Sequence, residues 1–144
     1  MKKEIKTTIT IEASAGKVWK ILTNFEDYPN WNPFIKSISG TAVVGSKIVA
    51  RIEAPGSKGM TFKPTVLAFE PGKEFRWIGH LFLPGLFDGE HRFELIDNGD
   101  GTTTFVQAEK FKGILVRFFR KMLDGGTMEG FHAMNRKLKE ISEK

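Results

Sequence analysis

Apolar and polar residues alternate along the first strand-like segment, EIKTTITIE, residues 4–12. One face carries Ile5, Thr7, Ile9 and Ile11. A period of two with one apolar face predicts a half-buried β-strand. Ser14 then stands at the N-cap position of a segment whose apolar residues follow at helical spacing, which predicts a short helix. The segment NFEDYPNWNP, residues 24–33, is rich in helix breakers and predicts a second short helix or turns.

The period of two returns at residue 34 and continues for about half of the chain. Six segments of seven to eleven residues carry it: FIKSISG, SKIVARIEA, MTFKPTVLAFE, KEFRWIGHLF, LFDGEHRFELI and TTTFVQAEKF. Turn-forming residues separate them, including Pro71-Gly72 and Pro84-Gly85. Consecutive strands with short connections favour an antiparallel arrangement. With the first strand, the pattern predicts a seven-stranded antiparallel sheet.

The last third of the chain shows a helical period instead. Its apolar stripe consists of Ile114, Leu115, Phe118, Met122, Phe131, Met134, Leu138 and Ile141. Gly125-Gly126 interrupts this stripe and predicts a kink or break. The order of elements predicts one α+β domain spanning residues 1–144, with two short helices between strands 1 and 2. We expect the sheet to curve around the long C-terminal helix, because no other element is long enough to cover it.

Composition narrows the classes of function. The 144 residues include thirteen Phe and three Trp but a single Tyr, which indicates extensive aromatic surface that is shielded from water. Cysteine is absent, and no segment approaches the ~20 apolar residues that span a bilayer, so a cytoplasmic protein without stable membrane insertion is expected. The net charge of +5 is scattered, which argues against nucleic acid as a partner. The three histidines lack ligand spacing and no phosphate-binding loop is present, so neither a metal nor a cofactor is expected.

Several segments together resemble a known family. They are IEASAGKVWKILTNFEDYPNWNPFI, FEPGKEFRWIG, LPGLFDGEHRFEL with DGTTTFVQAEKFKGIL, and FHAMNRKLK. The chain resembles the START-related, birch-pollen-allergen-like superfamily (SRPBCC), and within it the polyketide cyclase/dehydrase-like group. The resemblance implies a helix-grip fold, in which a curved antiparallel sheet grips the C-terminal helix around a cavity. Members bind lipids, sterols, plant hormones, polyketides or quinones, and some are cyclases or aromatases.

The inner face of the last hairpin carries polar residues among phenylalanines. Strand alternation places His91 and Phe93 on that face of one strand, and Phe105, Gln107 and Glu109 on that face of the next. A hairpin centred on Asp100 sets His91 opposite Glu109, whereas one centred on Gly99 sets it opposite Gln107. Either register brings the histidine and the carboxylate within reach of each other.

We expect the wall of the cavity to be largely aromatic, with a few convergent polar groups. The predicted ligand-binding residues are Trp31, Phe62, Phe75, Trp77, His91, Phe93, Phe105, Gln107, Glu109, Phe118, Met122, Phe131, Met134 and Asn135. Gly79 and Gly89 leave room where a side chain would fill the space. Of these residues, His91 and Glu109 are the candidates for acid–base catalysis. The alternative is that they form a structural pair whose members satisfy each other in the core.

Three functions fit these features. The first is binding of a small hydrophobic, ring-containing molecule, with His91, Gln107 and Glu109 orienting a carbonyl or hydroxyl group. The second is a cyclase or aromatase that uses the His91–Glu109 pair to move protons. The third is a lipid carrier that works at a membrane surface, since KFKGILVRFFRKML, residues 110–123, interleaves basic and apolar residues. Against the third, the same apolar residues are those that the sheet must cover. No sequence pattern indicates the oligomeric state.

Overall fold

The N-terminal elements follow the sequence pattern closely in the computed structural model, which describes all residues 1–144. Strand β1, Lys2–Ile11, buries Ile5, Thr7 and Ile11 on one face. Helix α1, Ala15–Leu22, begins after Ser14, whose Oγ accepts a hydrogen bond from the backbone N–H of Lys17 at 3.2 Å. A 3-10 turn, Phe25–Asp27, and helix α2, Tyr28–Trp31, follow in the breaker-rich segment.

The remaining strands form two antiparallel sheets. They are β2 (Ile35–Ser39), β3 (Val49–Ile52), β4 (Met60–Phe62), β5 (Thr65–Glu70), β6 (Glu74–Leu81), β7 (Phe87–Asp97) and β8 (Thr103–Lys112). One sheet has the order β1-β8-β7-β6-β5, and the other has the order β2-β3-β4. The α+β helix-grip fold is therefore confirmed, whereas the prediction of seven strands in one sheet is wrong.

The extra strand arises because the segment 60–70 is divided at Pro64. Phe62 pairs with Ala50 in the smaller sheet, whereas Thr65 pairs with Ile78 in the larger one. Proline has no backbone N–H and cannot continue both ladder bonds of a central strand. Its carbonyl accepts a hydrogen bond from Ile48 N–H at 3.0 Å. The chain thus crosses from one sheet to the other at this point.

The register of the β7–β8 hairpin is the one centred on Asp100. Asp97 pairs with Thr103, and His91 lies directly opposite Glu109. The Asp100 carboxylate accepts hydrogen bonds from the hydroxyl of Thr102 at 2.6 Å and from its backbone N–H at 3.0 Å. These two bonds lower the pKa of Asp100. They stabilise the turn that fixes the cross-strand pairing.

The C-terminal helical region has three parts. Helix α3, Val116–Met122, leads into a π-helical turn, Leu123–Thr127, and then into α4, Met128–Ser142. The π-turn contains Gly125-Gly126, so the predicted interruption is a local widening of a continuous helix. Helix α4 packs against β1, β8 and α1 and buries Phe131, Met134 and Leu138. None of the helices combines the length and the apolar character needed to cross a bilayer.

Candidate functional site

His91 lies in the interior of the sheet, with 1% of its surface exposed. Its Nδ1 is 3.1 Å from Oε1 of Glu109, and its Nε2 is 3.1 Å from Oε1 of Gln107. The ring stacks on Trp77 with centroids 5.0 Å apart, and it also contacts the rings of Phe93 and Phe131. Both ring nitrogens are therefore engaged by side chains from β8, as the alternation of β7 and β8 predicts.

A chain of hydrogen bonds connects this histidine to helix α4. The Nε2 of Gln107 donates to Oδ1 of Asn135 at 2.7 Å and lies 3.4 Å from the carbonyl oxygen of Phe131. The Nδ2 of Asn135 donates to the hydroxyl of Thr7 at 2.8 Å, and that hydroxyl donates to the backbone carbonyl oxygen of Gln107 at 2.9 Å. We call Thr7, Asn135, Gln107, His91 and Glu109 the polar chain.

An apolar cavity of about 150 Å³ lies beside the Glu109 end of the polar chain. Its wall is contributed by β3, β4 and β6–β8, together with α3 and the π-turn. Eleven of its eighteen residues are hydrophobic, and Glu109 is the one ionisable residue among them. The wall consists of Phe34, Ile52, Ala54, Ser57, Gly59, Met60, Phe62, Pro64, Trp77, Gly79, Leu81, Phe87, Gly89, Glu109, Phe111, Met122, Leu123 and Thr127.

Two glycines shape the wall in different ways. A Cβ on Gly89 would lie 2.3 Å from Oε2 of Glu109, so the missing side chain gives the carboxylate its position. A Cβ on Gly79 would meet nothing closer than Pro64 Cβ at 3.8 Å. Gly79 therefore borders open space as the sequence predicts, whereas the space at Gly89 is occupied by the Glu109 carboxylate.

The predicted site residues fall into three groups. Four of them line the cavity: Phe62, Trp77, Met122 and Glu109. Nine are buried outside it, in the core and the polar chain: Trp31, Phe75, His91, Phe93, Phe105, Gln107, Phe131, Met134 and Asn135. The placement of Phe118 in the wall is wrong, because its side chain is 67% exposed on the outer side of α3.

Stacked aromatic rings explain why the cavity occupies only one end of the fold. Phe93 stacks on Phe75 at 5.9 Å and on Phe105 at 6.0 Å, which fills the space between sheet and helix at the other end. The wall residues Leu81, Phe87 and Phe111 were not among the predicted site residues. They occupy the same inward face of β6–β8, farther along the strands, so the alternation alone could have indicated them.

Comparison with solved structures shows the same fold in functionally different proteins. The Zhui aromatase/cyclase from Streptomyces sp. R1128 is 14% identical with a TM-score of 0.79, over 99% of this chain and 94% of that one. Norcoclaurine synthase from Thalictrum flavum, in complex with dopamine and hydroxybenzaldehyde, is 14% identical with a TM-score of 0.73, over 98% and 86%. A START superfamily protein from Mycobacterium smegmatis is 22% identical with a TM-score of 0.71, over 96% and 98%.

Sequence comparison gives the family. No curated protein matches the chain in sequence. The profile of a family described as polyketide cyclase / dehydrase and lipid transport matches residues 2–143, which is nearly the whole chain. With the helix-grip fold and the cavity between sheet and helix, this match establishes that the chain belongs to the polyketide cyclase / dehydrase and lipid transport family.

Proposed function

We propose that this protein binds a small hydrophobic molecule containing a ring, in the cavity between the sheet and the C-terminal helices. The observation that carries the proposal is the cavity itself, with its apolar wall and a single carboxylate. A cavity of about 150 Å³ accommodates a benzene-sized ring when its wall is apolar. The flat faces of Trp77, Phe87 and Phe111 offer burial to such a ring.

A cavity-filling substitution tests this proposal. Gly79→Leu places four carbons into the open space beside Pro64, at a position whose backbone tolerates a side chain. Indole serves as a soluble ring-containing probe, and its affinity is measured by titration while the backbone amide signals of Gly89, Phe111 and Leu123 are followed by NMR. We expect Gly79→Leu to weaken binding by at least about tenfold, because the ring loses the volume and contact area it needs.

The matched control is Gly16→Leu, because Gly16 is exposed on α1 and a Cβ there meets nothing within 4 Å. Thermal unfolding of both variants verifies that they fold. Equal affinity of indole for Gly79→Leu and for the native chain would mean that the probe binds elsewhere. Perturbed amide signals remote from the wall residues would lead to the same conclusion.

Catalysis of the cyclase type is an alternative use of the same cavity. In its favour, the Glu109 carboxylate borders the cavity and is backed by the His91 imidazole at 3.1 Å. Only Glu109 could touch a bound molecule directly, whereas His91 would act through it. Deprotonation of a bound substrate by Glu109 would be the step that such an activity requires.

A lipid carrier is a second candidate, and exposed apolar side chains favour it. Ile114, Phe118, Phe82 and Leu83 are exposed, and we call these four residues the apolar patch. The expectation that the sheet covers the beginning of the helical stripe is therefore wrong. The backbone N–H of Leu115 donates to Leu86 O at 2.9 Å, which holds the β6–β7 connection against the start of α3.

The position and charge of the apolar patch suit an anionic membrane surface. Arg117, Arg120 and Lys121 lie on α3 among its apolar residues. The neighbouring Leu81 and Met122 line the cavity, so the patch adjoins two residues of its wall. Apolar side chains flanked by cations are typical of segments that rest on a lipid interface without spanning it. In this proposal the protein docks transiently while an apolar ligand enters or leaves.

A further inference from the structure

Two backbone carbonyl groups fix the direction of the hydrogen bonds that connect Thr7, Asn135, Gln107 and His91 in the polar chain. A backbone carbonyl can only accept, so the Thr7 hydroxyl, 2.9 Å from Gln107 O, must donate to it. Thr7 then accepts from the amide nitrogen of Asn135, which turns Asn135 Oδ1 toward Gln107. The Phe131 carbonyl, 3.4 Å from Gln107 Nε2, requires the same orientation of the Gln107 amide independently.

This direction determines which nitrogen of His91 carries hydrogen. Since the amide of Gln107 presents its oxygen to the ring, His91 Nε2 must be the donor in that 3.1 Å contact. A neutral ring with hydrogen on Nε2 has a bare lone pair on Nδ1. The 3.1 Å contact of Nδ1 with Glu109 Oε1 therefore needs one proton, which sits either on the ring or on the carboxyl group.

In both of these forms the other oxygen of Glu109 carries no hydrogen. The proton shared with His91 lies on the Oε1 side, so Oε2 can only accept a hydrogen bond. Oε2 occupies the space that Gly89 leaves open, and both residues belong to the cavity wall. No Lys, Arg or His lines the cavity, so a bound carboxylate would face Glu109 without a compensating cation.

We propose that the polar chain makes Glu109 an acceptor-only group, so that the cavity selects apolar ring-containing molecules that carry a hydroxyl or N–H donor on the ring. This selectivity rests on the proposed ligand binding and defines the class of ligand. It differs from the expectation that three polar residues jointly orient a carbonyl or hydroxyl group. His91 is already hydrogen-bonded to Gln107 and Glu109, and the Gln107 side chain to His91 and Asn135.

Indole and benzofuran test the proposal because they share one shape, while only indole has an N–H donor. We expect the native chain to bind indole about tenfold more tightly than benzofuran, as a hydrogen bond to a charged or proton-sharing acceptor implies. Glu109→Leu removes the acceptor, so the two probes should bind equally. Gly89→Ala should also reduce the preference, because the new Cβ would displace Oε2.

Glu109→Gln tests the direction of the hydrogen bonds in the polar chain, and so which nitrogen of His91 carries hydrogen. If His91 Nδ1 has a lone pair available, the substituted amide donates its N–H to the ring and turns its oxygen to the cavity. Indole should then keep a preference of about threefold, as a neutral acceptor implies. If Nδ1 instead carried the hydrogen of a neutral ring, the amide would present its NH₂ group, and the preference for indole would disappear.

The outcomes separate this inference from the proposed function. Binding of indole and benzofuran with equal affinity, both weakened in Gly79→Leu, overturns the inference and keeps the proposed function. Absence of binding of both probes to the native chain overturns both proposals. Nitrogen-15 NMR of His91 provides a readout independent of ligands: we expect hydrogen on Nε2 in the native chain and in Glu109→Gln. An Nε2 without hydrogen would contradict the direction of the polar chain.

Discussion

Tyr28 shows how much a single polar atom contributes to the N-terminal helices. It is the only tyrosine, it is fully buried, and its hydroxyl donates to the carbonyl of Leu22 at 2.5 Å. Burial raises the pKa of Tyr28, so the hydroxyl stays protonated and donates its hydrogen bond at neutral pH. The ring packs edge-on against Phe25 and Trp31. One side chain thus connects the end of α1 with α2.

Tyr28→Phe is expected to lower the free energy of unfolding by about 1–2 kcal/mol. The ring and its aromatic contacts remain, while the carbonyl of Leu22 loses its buried donor. Urea denaturation followed by tryptophan fluorescence measures the change. An unchanged midpoint at an unchanged slope would show that the hydroxyl contributes nothing, since the two side chains differ in that group alone.

At the scale of residues, alternation along the strands predicts which face of the sheet a side chain lies on. It does not predict whether that side chain borders the cavity or packs in the core. It places His91, Gln107 and Glu109 on the inward face, and the structure confirms each orientation. Whether an inward side chain meets empty space or another side chain depends on how the sheet packs against α4. That packing arises from contacts distant in sequence, such as Gln107 with Asn135, and local patterns do not contain them. The alternation likewise predicts that Thr7 faces inward, but it does not predict the hydrogen bond that Thr7 accepts from Asn135.

At the scale of elements, two glycines of the C-terminal helical region meet opposite surroundings. A Cβ on Gly130 in α4 would lie 2.4 Å from Cδ1 of Phe34, whose ring is buried and packs against Phe131. A Cβ on Gly125 in the π-turn would meet nothing within 4 Å. Close approach of helix and ring therefore requires glycine at the first position only.

We expect Gly130→Ala to destabilise the fold by about 1–3 kcal/mol, because the buried Phe34 ring must shift. Gly125→Ala is the matched control and should be neutral or stabilising by up to about 1 kcal/mol, as alanine restricts the unfolded chain and favours helix. Thermal and chemical denaturation of the two variants compares them directly. Equal stabilities would contradict the close contact between α4 and Phe34.

The elements predicted from the sequence differ from the structure at two places, in the segment 60–70 and at the beginning of the C-terminal helical stripe. MTFKPTVLAFE is predicted as one strand, yet Pro64 divides it between two sheets, because periodicity does not record which neighbour a strand pairs with. The stripe from Ile114 to Ile141 keeps one helical period on both sides of Gly125-Gly126, yet Ile114 and Phe118 at its beginning are exposed. A helical period indicates one apolar face but does not show whether a partner covers all of it.

At the scale of the whole molecule, three cations and the apolar patch lie close together, at α3 and the β6–β7 connection beside it. The net charge is +5, and three of the cations lie on α3 beside Phe118. Attraction to anionic lipid and burial of apolar side chains in the interface add to each other, and salt weakens the first contribution only.

We expect the protein to co-sediment with vesicles that contain phosphatidylserine at low salt, and to do so weakly with pure phosphatidylcholine. Phe118→Ser should weaken binding by about tenfold, since most of an aromatic side chain is lost from the interface. Val44→Ser, at an exposed apolar residue of the β2–β3 connection outside the apolar patch, should have no effect. Absence of binding at low salt, or equal binding of Phe118→Ser, would rule out a docking role for the patch.

The division of the strands at Pro64 has a consequence for how this fold can diversify. Near the division, the two sheets are joined by few main-chain bonds, those of Ile48 with Pro64 and of Ser46 and Gly45 with Val66. The polar chain lies entirely outside the smaller sheet, on β1, β7, β8 and α4. If the cavity binds a donor-bearing ring as proposed, substitutions in β3 and β4 would reshape it for a ligand of another size and leave Glu109 and the rest of the polar chain unchanged.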